Sequence, residues 1–386
     1  MVRSLVLATL LFSIGATAQG PATPRRVPVP ALESHQVNAD DTITFRYAAP
    51  SASSVLLGID AYLKPLAMAK DAEGVWSVTT PVLPPEYYQY RFIADGVTKL
   101  DPLNPNTVKN YVFLADSVLI PAHPAAPWEL NDMPHGRVDH YLYTTHVAKN
   151  LPENQEAYVV YTPPGYDAQR KGGYPVLYLL HGWSDTQDAW VSNGHANAIL
   201  DSLLANGKAV PMIVVMPEGY GDLDFVTHGD QVWGDRAKVN QNVDLYSKML
   251  LMEIVPAVER EYDVAPGRDK RAIAGLSMGG LESLTIGLNH ANEFAYVGGL
   301  SSAVFGGDQG AFDRDIPNLD AKKADLRLLW IACGKTDTLF ADNQKFIAWT
   351  KVKGFAPVTV ETEGAHTWLT WRANLLQLAP LLFQNK

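Results

Sequence analysis

The chain has a single cysteine, Cys333, so no disulfide can close within it and its stability has to come from burial. It has no run of lysine or arginine. Its 31 basic residues stand against 41 acidic ones, a net charge of −10, which makes nucleic acid and anionic membrane surfaces poor partners. It has no H-E-x-x-H, no cysteine cluster and no P-loop, so the sequence calls for no metal and no cofactor. Asp224 and Asp230 lie in one polar stretch, but three or more oxygen ligands at a fixed spacing are missing around them. Beyond the first residues no apolar stretch is long enough to span a bilayer. Nothing in the sequence specifies an oligomeric state.

What is present begins with an export pattern. Arg3, the apolar run Leu5 to Ile14 and Ala16-Thr17-Ala18 read as a secretory signal peptide over residues 1–18. A lipid anchor would need a cysteine at the cleavage site, so the expectation is a secreted or periplasmic protein without a membrane anchor. Residues 19–33 read as a flexible leader. With 386 residues and 47% apolar composition, the remainder is long enough for two cores.

Residues 34–121 carry an all-β pattern. Ile43, Phe45 and Tyr47 alternate with Thr44 and Arg46, and Tyr88, Tyr90 and Phe92 alternate with Gln89 and Arg91. Asp95-Gly96 supplies a hairpin turn. Together with Gly74-Val75-Trp76 and Asp101-Pro102-Leu103-Asn104, these residues resemble the early-set sandwich known as carbohydrate-binding module family 48. That resemblance implies an immunoglobulin-like sandwich. Trp76 and Tyr90 are its aromatic candidates for sugar, against the plainer reading that they fill its core. Residues 122–137 read as a linker.

From residue 138 to 386 short apolar runs alternate with helical patterns, which predicts an α/β domain with a largely parallel sheet covered on both faces. Strands are expected near residues 139–144, 157–162, 176–180, 212–216, 272–274, 296–300, 328–332 and 358–361, and helices over 196–206, 243–262, 280–289, 343–353 and 368–383. Residues 219–242 read as a long polar loop, of a length that suits a binding loop.

The chemistry centres on Gly275-Leu276-Ser277-Met278-Gly279, followed by Gly280. A buried strand runs into it and a helical pattern leaves it, the context of a G-x-S-x-G nucleophile elbow. Glycines flank the serine because a side chain there would collide across so tight a turn. A serine hydroxyl needs a base, and the base an orienting acid. His366 follows the last strand and is the expected base; His290 lies at the far end of the helix after the elbow. Asp337, just past the strand ending near Ala332, is the expected acid, with Asp342 and Glu363 as alternatives. Two backbone amides should receive the oxyanion, that of Met278 and that of Trp183 in the His181-Gly182 loop. His181 reads as structural and Cys333 as a small buried residue. Trp183, Trp233 and Trp368 are the expected substrate-binding walls, while Trp371 reads as packed within the last helix.

His181-Gly182 with Asp185, the elbow, Gly334 with Asp337, and His366-Thr367-Trp368-Leu369-Thr370-Trp371 resemble the putative-esterase superfamily. That superfamily includes carbohydrate esterase family 1, with its feruloyl and acetylxylan esterases, and the enterochelin esterases. The resemblance implies an α/β-hydrolase that cleaves esters without metal or cofactor. Aromatic walls and few cations place feruloyl esters of a polysaccharide such as xylan first, acetyl esters second and siderophore or other small polyesters third. A carbohydrate-binding protein that kept the fold without the activity is the reading from another class, and the full set of Ser277, His366 and Asp337 argues against it.

Overall fold

The computed structural model describes residues 32–305, 310–317 and 319–384. The export pattern and most of the leader lie outside the described residues. No helix among those described is long and apolar enough to cross a membrane.

The leading strands are β1 His35–Val37, β2 Ile43–Ala48, β3 Val55–Ile59, β4 Leu66–Ala67, β5 Ala69–Lys70, β6 Val75–Thr79, β7 Tyr87–Ala94, β8 Val97–Lys99 and β9 Asp116–Leu119. They form two antiparallel sheets, β1-β2-β6-β5 and β4-β3-β7-β8, with β9 added to β7. Period-two alternation decides what goes inside. Ile43 and Phe45 from one sheet and Leu57, Tyr88, Tyr90 and Phe92 from the other fill a single core. Trp76 and Tyr90 belong to that core, 7% and 0% exposed, so neither presents an aromatic face to a sugar. Gln89 and Arg91, on alternate positions of β7, point the other way.

A third, eight-stranded sheet has the order β10-β11-β13-β12-β14-β15-β16-β17. Its strands are β10 Arg137–Thr144, β11 Gln155–Thr162, β12 Val176–Leu180, β13 Ile213–Pro217, β14 Arg271–Leu276, β15 Tyr296–Leu300, β16 Leu328–Gly334 and β17 Val358–Thr362. β10, β11 and β13 pair antiparallel and the rest parallel. Along β12, Val176, Tyr178 and Leu180 join one core while Leu177 and Leu179 join another. Both faces are therefore covered, and the fold is α/β. The helices are α1 Ala189–Ser192, α2 Ala196–Ala205, α3 Asp224–Thr227, α4 Arg236–Met249, α5 Val255–Glu261, α6 Ser277–Asn289, α7 Ala311–Asp315, α8 Ala321–Ala324, α9 Phe340–Val352 and α10 Trp368–Leu378.

Two departures from the sequence reading have physical causes. The stretch 219–242 is not a long loop. It holds α3, a short 3-10 turn at Asp230–Gly234 and the start of α4. Asp235 opens α4 early because its carboxylate accepts from the amides of Ala237 and Lys238. The helix then runs on through a π turn, Leu250–Ile254, where Val255 donates back to the Leu250 carbonyl. That wide turn lets Pro256, which has no amide hydrogen, sit inside a continuous helix. The last helix ends at Leu378, short of 383, because Pro380 cannot continue it.

The sandwich and the α/β layers meet at α10. Arg372 is 2% exposed; it donates to the carbonyls of Asn193 (2.5 Å) and Tyr87 (2.8 Å) and pairs with Glu86 at 3.0 Å. The Tyr87 ring stacks on His195 at 3.8 Å, and Leu369 of α10 packs against the sandwich core. The helix that follows His366 is thus seated on the leading sheet.

Candidate active site

β14 delivers its last residue, Leu276, in extended backbone, and Ser277 turns at φ +53° into the first turn of α6. The turn closes tightly. A Cβ on Gly275 would stand 2.4 Å from the Gly279 carbonyl oxygen, and one on Gly279 would stand 2.4 Å from that of His181. Only glycine fits at either place. His366 Nε2 lies 2.9 Å from Ser277 Oγ, and His366 Nδ1 lies 2.8 Å from Asp337 Oδ2. A carboxylate accepts, so Nδ1 carries the proton and Nε2 is left to accept from the hydroxyl. Asp337 is 5% exposed and also accepts from the Leu339 amide at 2.8 Å. Burial pushes its carboxyl up, but the hydrogen bond and charge of His366 and the Leu339 amide outweigh this and hold it below its ordinary range. Two rungs, Lys335 to the Thr362 carbonyl and Thr336 to that of Gly364, tie the loop of Asp337 to the loop of His366.

The loop after β12 and the start of α6 face Ser277. The Gly279 amide is spent on the His181 carbonyl and that of Asp185 on Gly182; among the described residues the amides of Trp183 and Met278 make no such turn bond. Beside Ser277 and His366 opens a cleft of about 330 Å³, a size suited to a small organic ligand. Trp183, Leu276, Trp368 and Trp371 line its α/β side.

A family model described as Putative esterase matches residues 150–382. The chain belongs to this family. It is 30% identical over 362 residues, 92% of its length, to an endo-1,4-beta-xylanase/feruloyl esterase of Xylanibacter ruminicola, and spans 46% of that protein. The chain thus covers about half the length of this curated relative. Its fold is also that of the CE1 ferulic acid esterase of Anaeromyces mucronatus (TM-score 0.57, 24% identity, 66% of this chain and 93% of that one). The enterobactin esterase of Shigella flexneri shares the fold over more of the chain (TM-score 0.64, 19% identity, 90% and 94%).

Within this member of the esterase family the other expected residues fall as follows. Trp183 lines the cleft, its indole donating to the Phe225 carbonyl at 2.8 Å. Trp368 lines it too, edge-on to Trp190 at 5.2 Å. Trp233 is not among the described lining residues and packs edge-on against Phe225 and Phe305; once 219–242 folds into helical turns, its half-buried indole packs against the core. Asp342 pairs with Lys345, Glu363 with Lys335, and His290 caps the far end of α6. The His181 ring is held between the Gly182 carbonyl and the Gly219 amide. Cys333 is buried, and burial together with Asp337 pushes its thiol up to about 12. Among the described residues no group of three or more His, Cys, Asp or Glu could hold a metal.

The sequence reading missed Trp371, whose indole stands edge-on to the His366 ring at 4.9 Å. It also missed the whole far wall. Asp60, Gln89, Arg91, Val108, Asn110, Phe113 and Ala115 of the leading segment line the same cleft. Asn110 is the best tied of these. Its amide donates to Ser184 Oγ at 3.1 Å and Asp185 Oδ1 at 3.0 Å, while the Tyr111 amide donates to the Ser184 carbonyl at 2.8 Å. Ser184 stands at φ +74°, so the loop presenting the Trp183 amide is held in a strained turn from the sandwich side.

Asn110→Ala is accordingly expected to lower kcat by roughly ten- to a hundredfold with KM little changed, because a misplaced oxyanion donor costs transition-state binding. Asn110→Asp carries a pH signature. Burial raises the Asp185 carboxyl to about 7. The substitution removes the Asn110 hydrogen bond that holds Asp185 down and adds a like charge, so Asp185 stays neutral and donates to the new carboxylate at pH 7 and below; at higher pH the two charges repel. The defect of Asn110→Asp should therefore set in as pH rises above about 7. Steady-state kinetics from pH 5 to 9 check this, and a flat ratio to wild type would remove the loop contact from the account.

Proposed function

We propose that this protein is a serine esterase acting outside the cytoplasm on feruloyl esters of plant polysaccharide such as xylan, with acetyl esters as second choice. The observation that carries the reading is the Ser277–His366–Asp337 relay at the mouth of a tryptophan-walled cleft. In this account an immunoglobulin-like early-set sandwich (34–121) and a linker (122–137) precede an α/β-hydrolase domain (138–386). Ser277 Oγ attacks the ester carbonyl carbon as His366 Nε2 takes its proton, and Asp337 stabilises the imidazolium that forms. The amides of Met278 and Trp183 receive the negative charge on the carbonyl oxygen. His366 returns the proton to the departing alcohol, leaving an acyl-serine. Water, deprotonated by the same nitrogen, then releases the acid and restores Ser277. No step needs a metal or a cofactor.

A flat phenolic acyl group suits walls of indole and aliphatic carbon, which Trp183, Leu276, Trp368 and Trp371 supply. An anionic siderophore would be better matched by several cations. Among the described lining residues Arg91 is the one permanent cation, with Asp60 and Asp185 beside it.

Methyl ferulate should be cleaved with higher kcat/KM than para-nitrophenyl acetate once leaving-group reactivity is corrected for. Trp183→Ala should narrow that preference by roughly 1–3 kcal/mol, the scale of one apolar pocket contact. Ready deacetylation of xylan with methyl ferulate untouched would promote the acetyl reading and sink the feruloyl one.

A further inference from the structure

The cleft has two unlike walls. Near Ser277 and His366 it is lined by indoles and Leu276; the leading segment adds Val108, Phe113 and Ala115 beside Trp183 and, further along, the polar group Asp60, Gln89 and Arg91. These three come from one face of one sheet. Gly58 pairs with Arg91 across β3 and β7, and the Asp60 amide donates to the Gln89 carbonyl one rung on. With Tyr88, Tyr90 and Phe92 turned into the sandwich core, pleating puts Gly58, Asp60, Gln89 and Arg91 together on the outer face. Gly58 leaves that face flat. A Cβ there would already meet Arg91 Cγ at 3.3 Å and its guanidinium carbon at 3.5 Å, so the arginine lies across the glycine rather than standing away from the sheet.

The polar capacity of this face is not used up. Asp60 Oδ1 is buried and has no hydrogen-bond partner among the described residues. Burial raises the Asp60 carboxyl to about 7, so near neutral pH it can serve either as acceptor or as donor. Arg91 is exposed, and no hydrogen bond or ion pair of its guanidinium occurs among the described residues. A forked donor, a carboxyl group and a carboxamide on a flat sheet form the mixed donor and acceptor set that adjacent hydroxyl groups need. The indole wall offers no such set, so the two ends of an aryl ester of a sugar have separate places to go.

We infer that the outer face of β3 and β7, through Asp60, Gln89 and Arg91, is the subsite for the hydroxyl-rich sugar that leaves as the alcohol. The inference rests on the esterase reading and assigns the alcohol side of the same site to the leading segment. Specificity for the sugar then resides in residues outside the part of the chain that carries Ser277. It also accounts for a sandwich that turns Tyr88, Tyr90 and Phe92 of β7 inward and stacks Tyr87 on His195: it recognises the sugar by hydrogen bonds and only as one half of a shared cleft.

The test compares two substrates with the same acyl group, methyl ferulate and a feruloylated arabinose-bearing xylo-oligosaccharide, using the full chain. Arg91→Met and Asp60→Ala should each lower the kcat/KM ratio, oligosaccharide over methyl ester, by about three- to tenfold, and the double variant by more than tenfold. Gln89→Leu is a second handle should either variant melt much below wild type. On a Ser277→Ala background, calorimetry with the feruloylated oligosaccharide should show weaker binding by a similar factor. Equal losses on both esters, or none, would overturn the sugar subsite while wild-type turnover of methyl ferulate keeps the esterase reading. A wild-type protein that turns over neither ester would overturn both.

Discussion

Replacing Ser277 with alanine is expected to cut ester turnover by roughly a millionfold, the loss seen when a triad nucleophile is removed. The fold should survive. The elbow is imposed by the close approaches at Gly275 and Gly279, and alanine at φ +53° is strained no more than the serine it replaces. What remains in the variant is the cleft and the oxyanion amides, which still bind and polarise the ester, so slow residual hydrolysis is consistent with the mechanism. Burst-free kinetics with a chromogenic ester, together with an unchanged melting curve, check both halves. Activity within tenfold of wild type would take Ser277 out of the reaction.

Asp337→Asn should lower kcat by about ten thousandfold, because an amide in that position donates to Nδ1 and forces the wrong tautomer on the base. The geometry leaves little room for compensation. The Asp337 side chain is walled from solvent, its second oxygen already takes the Leu339 amide, and the loop is laced to that of His366. Asp342→Ala should be nearly silent by contrast: its carboxylate points to Lys345 at the surface of α9. Steady-state kinetics on the two variants decide the matter. A severe Asp342→Ala and a mild Asp337→Asn would reverse the assignment.

That Ser277, His366 and Asp337 come together could be read from the chain because each lies in a local pattern at the end of a strand, and the order of the strands does the rest. The first turns of helix α4, ahead of the helical pattern at 243–262, could not, since they carry lysine, asparagine and glutamine and their signal is one capping carboxylate at Asp235. The far wall of the cleft was half legible. Alternation along residues 88–92 assigns Gln89 and Arg91 to an outer face, but what that face meets depends on how two folded bodies dock. The docking contacts are single, unpatterned residues. Arg372 lies within the helical pattern over 368–383 and Asn110 within the all-β stretch, and neither belongs to a motif.

Arg372 has a consequence for how such a chain can change over generations. Its guanidinium is compensated by Glu86 and by the carbonyls of Tyr87 and Asn193, groups from both halves of the chain. A recombination that brought in a different leading sandwich would strand that cation unless the newcomer carried an acid at the matching place. The penalty for leaving one partner of a buried pair unmatched is about 3–5 kcal/mol, a large part of the stability of an ordinary domain. Shuffling is therefore a poor route to new specificity here. The leading segment should drift by point changes on its outer sheet face, with residues 86 and 372 changing together or not at all.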